Sequence, residues 1–196
     1  MRNSFVPVAV LSLALAGCAQ SPVAEIDGAK QALDRARDAQ APDYAPDAWT
    51  AANDAQARLD AELDAQTHKN ALFRSYSKSK ELASEVKASA ERATELAATG
   101  KDKAKTEAAT LITQARDEYA LAQQALTSAP KGKGTEADLA SLKGNASGIE
   151  GTLAEMQSAF DAGNYLTAKT KAQAAIDASR EIVKEIEAAK AQRRAA

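Results

Sequence analysis

One cysteine, one histidine, one tryptophan and 4% aromatic residues leave this 196-residue chain little material for several familiar kinds of site. A single cysteine excludes an internal disulfide framework and any CxxC metal or redox motif. His68 is the sole imidazole, so a metal site would need carboxylates converging on it. The carboxylates instead lie scattered in Lys-paired patterns such as Lys80-Glu81 and Glu85-Lys87. An acyl-transfer base would have to be His68 itself, and no serine lies in the strand-turn-helix setting of a nucleophile elbow. Lys131-Gly132-Lys133-Gly134 lacks both the GxxxxGK[ST] spacing and a preceding strand, so it reads as a flexible linker rather than a phosphate loop. The charge balance, 25 basic against 27 acidic side chains, provides no net basic face and excludes nucleic acid as the main partner. These absences point away from an enzyme and away from any metal or diffusible cofactor.

Proline is also scarce, and its placement is informative: the five prolines stand at 7, 22, 42, 46 and 130. From Asp47 to Ala129 there is no proline and a single glycine, Gly100, in a chain that contains 49 alanines. Alanine favours helix more than any other residue, and proline is the strongest breaker, so long helices are the expectation.

The N-terminus is different in kind. Arg2 precedes an apolar run from Phe5 to Leu15, interrupted by Pro7 and Ser12, and Leu15-Ala16-Gly17-Cys18 follows directly. The run falls short of the roughly 20 residues a helix needs to span a bilayer, so it reads as a removable signal peptide. Leu15, Ala16, Gly17 and Cys18 together resemble a bacterial lipoprotein lipobox. The resemblance implies cleavage before Cys18 and attachment of palmitate-type acyl chains to that residue. Several acyl chains give stable anchoring, and the covalent lipid would be the only prosthetic group. Ala19, at a position where a retention signal often has Asp, resembles the outer-membrane-sorted class. Loss of residues 1–17 leaves 24 basic and 27 acidic side chains, a surface of mixed sign that suits a body held beside a membrane by lipid, for which no polybasic patch is needed.

After the signal segment (1–17) and a lipidated tether (18–22), apolar residues recur every three to four positions. Residues 23–41 read as a short first helix, with Ile26, Ala29, Leu33 and Ala36 on one stripe. A break at 42–46 opens a long first hairpin, 44–129. One arm carries Trp49, Ala52, Gln56, Leu59, Leu63 and Gln66. Residues 72–77 read as a turn, and the stripe resumes at Tyr76, Ser79, Leu82, Val86, Ala93 and Leu96. Gly100 either bends one helix or separates two. A second hairpin, 135–192, follows, with Leu139, Leu142, Ile149, Leu153, Met156 and Phe160 on its first arm. A turn at 161–164 leads to Leu166, Ala172, Ile176, Val183 and Ile186 on its second arm. The halves match at an offset of 90 residues, Leu59 with Ile149 and Val86 with Ile176 among the pairs, which reads as a duplicated hairpin. The expected fold is all-α: an elongated antiparallel helical bundle of two long hairpins preceded by a short helix, with coiled-coil-like packing.

Aromatic side chains cluster near the breaks. Trp49, Phe73, Tyr76, Phe160 and Tyr165, with Arg74 beside them, are the candidate partner-binding residues at one bundle end; the competing reading is that the aromatics plug the ends of an Ala-rich core.

The lipobox, the short Ala-rich helix, Tyr44-Ala45-Pro46 followed by Ala48-Trp49-Thr50-Ala51-Ala52, and the turn before Leu82-Ala83 together resemble the Ala-rich helical lipoproteins of Gram-negative bacteria. These carry a domain of unknown function numbered 4398. The resemblance covers residues 15–98 and implies a cell-envelope location without catalytic residues. The expected function is a lipid-anchored structural or adaptor protein on the periplasmic side of the outer membrane. The alternative is a binding module that recruits an envelope protein or peptidoglycan. The sequence leaves the oligomeric state open.

Overall fold

The computed structural model describes residues 20–130 and 136–195. The signal segment, Cys18, the Lys131-Gly132-Lys133-Gly134 linker and the Thr135 cap lie outside the described residues. Within them the chain is all-helical, without a strand. The elements are α1 (Val23–Asp38), α2 (Ala41–Tyr44), α3 (Pro46–Thr67), a single 3₁₀ turn (Ala71–Phe73), α4 (Ser77–Thr127), α5 (Glu136–Asp161) and α6 (Tyr165–Ala195). They form two compact units divided between Thr94 and Glu95. Gly100 neither ends nor interrupts α4, which contributes residues 77–94 to the first unit and 95–127 to the second.

In the first unit, α1 carries Glu25 in its first turn and Arg35 and Arg37 in its last, the signs that complement the helix dipole. It ends at Asp38, earlier than the 23–41 span read from periodicity. Gln40 takes a left-handed conformation (φ 61°), and buried Ala41 starts the one-turn helix α2, with Pro42 in the first-turn position that needs no N–H donor. The expected break is therefore a reversal with a helical turn inside it. It sends α3 back along α1, and the Arg37 guanidinium lies 5.7 Å from the centre of the Trp49 ring. Arg58 of α3 donates to Glu85 of α4 at 2.6 Å, and Lys80 of α4 reaches Glu25 of α1 at 3.2 Å. The core is mostly alanine, including Ala29, Ala36, Ala52, Ala90 and Ala93, with Leu59 and Val86 as its bulkiest fully buried apolar side chains. Small side chains let helices approach closely while burying little apolar area each.

The second unit has a bulkier core: Ile112, Leu126, Leu142, Ile149, Met156, Ile176, Ile182 and Ile186. Gly163, at φ 78°, makes the tight turn between α5 and α6, and Asn164 N–H returns to the Ala159 carbonyl at 2.8 Å. Beside this turn the Phe160 and Tyr165 rings meet edge to face at 5.3 Å. Three polar contacts fix α6 on α4: Lys169 with Glu107, Arg180 with Glu118 at 2.7 Å, and Lys190 with the Ser128 hydroxyl at 3.0 Å. Each pair is separated by 62 residues, so the two helices run parallel in one register. The contacts recur after 11 and then 10 residues, about three turns of a 3.6-residue helix, which keeps them on one face. Helix α5 is held to α4 by Arg116 donating to Gln157 at 2.7 Å and the Tyr119 hydroxyl donating to Glu150 at 2.6 Å. Partial burial, followed by that acceptor carboxylate, pushes the Tyr119 phenol above its usual range.

These ion pairs make stability acid-sensitive. The hydrogen bond from Lys169 holds the Glu107 carboxyl below its ordinary range against an opposing effect of burial, with the Lys169 and Lys103 charges helping. The Lys190 hydrogen bond acts in the same direction on Glu187. A depressed folded-state value means the native state holds its protons less tightly than the unfolded chain, so stability rises with pH across the gap. The contribution is complete above the unfolded value near 4.5 and is lost as pH falls through the lower folded value. The thermal midpoint should therefore drop as pH is taken from 6 to 3, and Glu107→Gln should flatten that drop. Circular dichroism melts across the range check this, and an unchanged slope in the variant would remove Glu107 from the account.

Candidate functional site

The aromatic residues singled out above separate into three places. Trp49 lies in the first turn of α3, half-buried and covered by Arg37. Phe160 and Tyr165 pack against Ala108, Ala159 and Ala168 around the α5–α6 turn. Phe73, Arg74 and Tyr76 occur together on the α3–α4 connection. At about 1.5 Å rise per residue, the 18 residues from Trp49 to Thr67 put Trp49 roughly 27 Å from that connection. The first unit therefore does not gather Trp49, Phe73 and Tyr76 into one patch.

The α3–α4 connection is tightly built. Helix α3 ends without a basic residue in its last turn, and Arg74 folds back to serve that role. Its Nε donates to the Lys69 carbonyl and its Nη2 to the Thr67 carbonyl, both at 3.0 Å. Gln66 is 3% exposed, and its side chain is used twice: Nε2 donates to Glu62 at 2.6 Å, while Oε1 accepts the Ser75 N–H at 3.0 Å. These bonds hold the 3₁₀ turn with Leu72 86% and Phe73 77% exposed. Phe73, Arg74 and Tyr76 are the candidates the sequence offers here; Gln66 reads there only as a member of the α3 stripe, and Leu72 and Lys69 are not singled out. The available signal was charge: residues 65–80 contain Lys69, Arg74, Lys78 and Lys80 and no Asp or Glu, in a chain that is acidic overall.

Three elements converge on this end. Lys80, in the first turn of α4, pairs with Glu25, in the first turn of α1, so both helices begin where α3 ends. The chain preceding α1 enters here as well, through buried Pro22 and exposed Val23. Glu25 is held below the usual carboxylate range by a backbone hydrogen bond first and then by Lys80.

The remaining chemistry-bearing groups stand apart. His68 is exposed at the end of α3, with Nδ1 2.9 Å from the Asp64 carbonyl. Ser79 and Ser179 are fully buried, and neither hydroxyl makes a hydrogen bond. A serine nucleophile needs both a base and access for substrate, which these positions do not provide. Among the described residues no group of three His, Cys, Asp or Glu side chains is placed to hold a metal ion, and no helix is long and apolar enough to cross a membrane. A shallow groove of about 340 Å³ between α5 and α6 is lined by Leu139, Leu142, Ile186 and Ala189 with Asp138 at its edge. No family model, curated protein or solved structure matches the chain.

Proposed function

We propose that this protein is a lipid-anchored helical scaffold of the bacterial envelope, held by acyl chains on Cys18 to the periplasmic side of the outer membrane and acting as a structural or adaptor element rather than a catalyst. The observation that carries the reading is the position of the helical body. Helix α1 begins at Val23, five residues after Cys18, so lipid on that cysteine would hold folded helix directly beside a bilayer. Within this reading the body is two antiparallel hairpins, α3 with the start of α4 and α5 with α6, derived from one duplicated unit. The resemblance of residues 15–98 to the envelope lipoproteins with the domain numbered 4398 belongs to the same proposal.

The test is the intact mass of the full chain purified from the envelope of a Gram-negative host, beside Cys18→Ala. The expected wild-type product lacks residues 1–17 and carries a diacylglyceryl group and a third acyl chain; the variant gains no lipid. A mature chain beginning elsewhere, or one without acyl mass, overturns the reading. For the adaptor role, crosslinking in the intact envelope followed by mass spectrometry should recover a stoichiometric partner; recovery of none leaves a spacer.

A further inference from the structure

We propose that the α3–α4 turn is a second membrane contact, in which Leu72 and Phe73 enter the acyl region of an anionic phospholipid bilayer and Lys69 and Lys78 face the lipid phosphates. The inference rests on the lipid-anchor reading for the nearness of the bilayer, and on the geometry of the first unit for everything else.

Among the described residues the three most exposed large apolar side chains are Leu72 at 86%, Phe73 at 77% and Val23 at 61%. All three lie at the end of the first unit where α1 and α4 begin and α3 ends. Isolated surface apolar residues are ordinary, but the concentration of the extreme cases at one end calls for a reason. The same end is where the tether emerges. Five residues from Cys18 to Val23 span at most about 17 Å, so acyl chains on Cys18 would hold this end within that distance of the bilayer surface.

Charge selects the occupant. Lys69, Arg74, Lys78 and Lys80 lie on or beside the turn, and the acidic groups near them are engaged: Glu62 accepts from Gln66 at 2.6 Å. Glu25 is paired with Lys80, Glu81 lies 3.6 Å from Lys78, and Asp64 lies beside His68. An apolar tip flanked by long cationic side chains fits a surface that is apolar within and anionic at its face, because lysine stems extend along apolar surface while their heads reach phosphate. The Gln66–Ser75 and Arg74–Thr67 bonds fix the turn in advance, so presenting Leu72 and Phe73 to the bilayer requires little further ordering.

The experiment uses the full lipidated chain in vesicles of phosphatidylethanolamine and phosphatidylglycerol at 3:1. Trp49 is the only tryptophan, so Phe73→Trp combined with Trp49→Phe places a single indole on the turn, and the wild-type chain reports the far end of α3. The expected result is a blue-shifted Phe73→Trp emission, at least twofold quenched by lipids with a nitroxide in the acyl chain, while wild-type Trp49 is unquenched. In phosphatidylcholine vesicles the quenching should fall by at least half; equal quenching there would overturn the anionic assignment. An indole at position 73 that stays open to aqueous acrylamide on vesicle-bound chain overturns the membrane contact and leaves the turn to a protein or glycan partner. The intact mass of the same sample separates the two failures: a chain that carries acyl mass and stays unquenched at position 73 overturns the contact alone, whereas a chain without acyl mass overturns the anchor reading and with it the premise of the contact.

Discussion

Ile176→Ala should lower the free energy of unfolding of the second unit by about 2–5 kcal/mol, among the largest effects expected of any single substitution in the chain. Ile176 is 1% exposed on α6, in the cluster that holds Ile149 and Met156 of α5 and Ile112 of α4. Truncation removes three carbons from a site surrounded by helices, whose backbones cannot close the space without disturbing the Lys169–Glu107 and Arg180–Glu118 pairs on either side of the position. The cost therefore combines lost transfer free energy with a cavity that persists. Ile176→Val, which deletes one methyl group, should cost about 0.5–1.5 kcal/mol. Urea unfolding followed by circular dichroism gives both values. Equal losses for the two variants, or a loss under 1 kcal/mol for alanine, would mean that the site collapses or that α6 is packed more loosely than its burial implies.

That position also gauges how much of the fold was legible in the sequence. Of the pairs made by the 90-residue offset, Val86 with Ile176, Leu59 with Ile149 and Ala52 with Leu142 are buried in both members, and Trp49 with Leu139 and Leu63 with Leu153 are half-buried in both. Gln66 and Met156 also correspond and are both buried, one a polar clasp and the other an apolar core residue. Helical periodicity alone carries this information, because a buried stripe must recur every three or four residues. The correspondence fails further along. Leu96 is 43% exposed where its counterpart Ile186 is 2%, and α6 buries Ile182 more fully than the expected Val183. Leu96 falls just past the division between the units, where α4 changes the helices it packs against, and a change of partners is not written in local spacing. Gly100 was ambiguous for a related reason: a helix-interior glycine weakens a helix by roughly 1 kcal/mol, which flanking alanines and the packing of Ala97 and Ala104 overcome.

The candidate site was legible only in part. The turn and three of its residues were legible, because Phe73, Arg74 and Tyr76 are conspicuous in an Ala-rich chain. Sequence reasoning could not separate aromatics that close the structure from those left open. Trp49 under Arg37 and Phe160 against Tyr165 are in intramolecular contact, whereas the Phe73 ring is left exposed. That distinction depends on which neighbours arrive from distant parts of the chain. The roles of Gln66 as a clasp and Arg74 as a helix cap depend likewise on a loop geometry that no period encodes.

Helix α5 supports a prediction of opposite sign. Gly144, Gly148 and Gly151 all lie within it, all exposed, and a Cβ built at each meets nothing within 4 Å. None of the three has a backbone angle that disfavours an L side chain, in contrast to Gly163 at φ 78°. A helix-interior glycine loses the most backbone entropy on folding, and alanine at such a position stabilises by about 0.5–1 kcal/mol without forming a new contact. The three lie one turn apart on a single face of α5, but each added methyl meets nothing within 4 Å, so their effects should nearly add, to about 1.5–3 kcal/mol for Gly144→Ala, Gly148→Ala and Gly151→Ala together. The gain should appear as a higher urea midpoint with an unchanged denaturant slope, since the folded surface is the same and only the freedom of the unfolded chain is reduced. Gly163→Ala should do the reverse, because the left-handed turn penalises any Cβ by about 1–2 kcal/mol. If the triple variant is no more stable than the parent, α5 frays over these residues in solution and the second unit is held mainly by the segment from Leu153 to Phe160, where Met156 is buried and the Phe160 ring meets Tyr165.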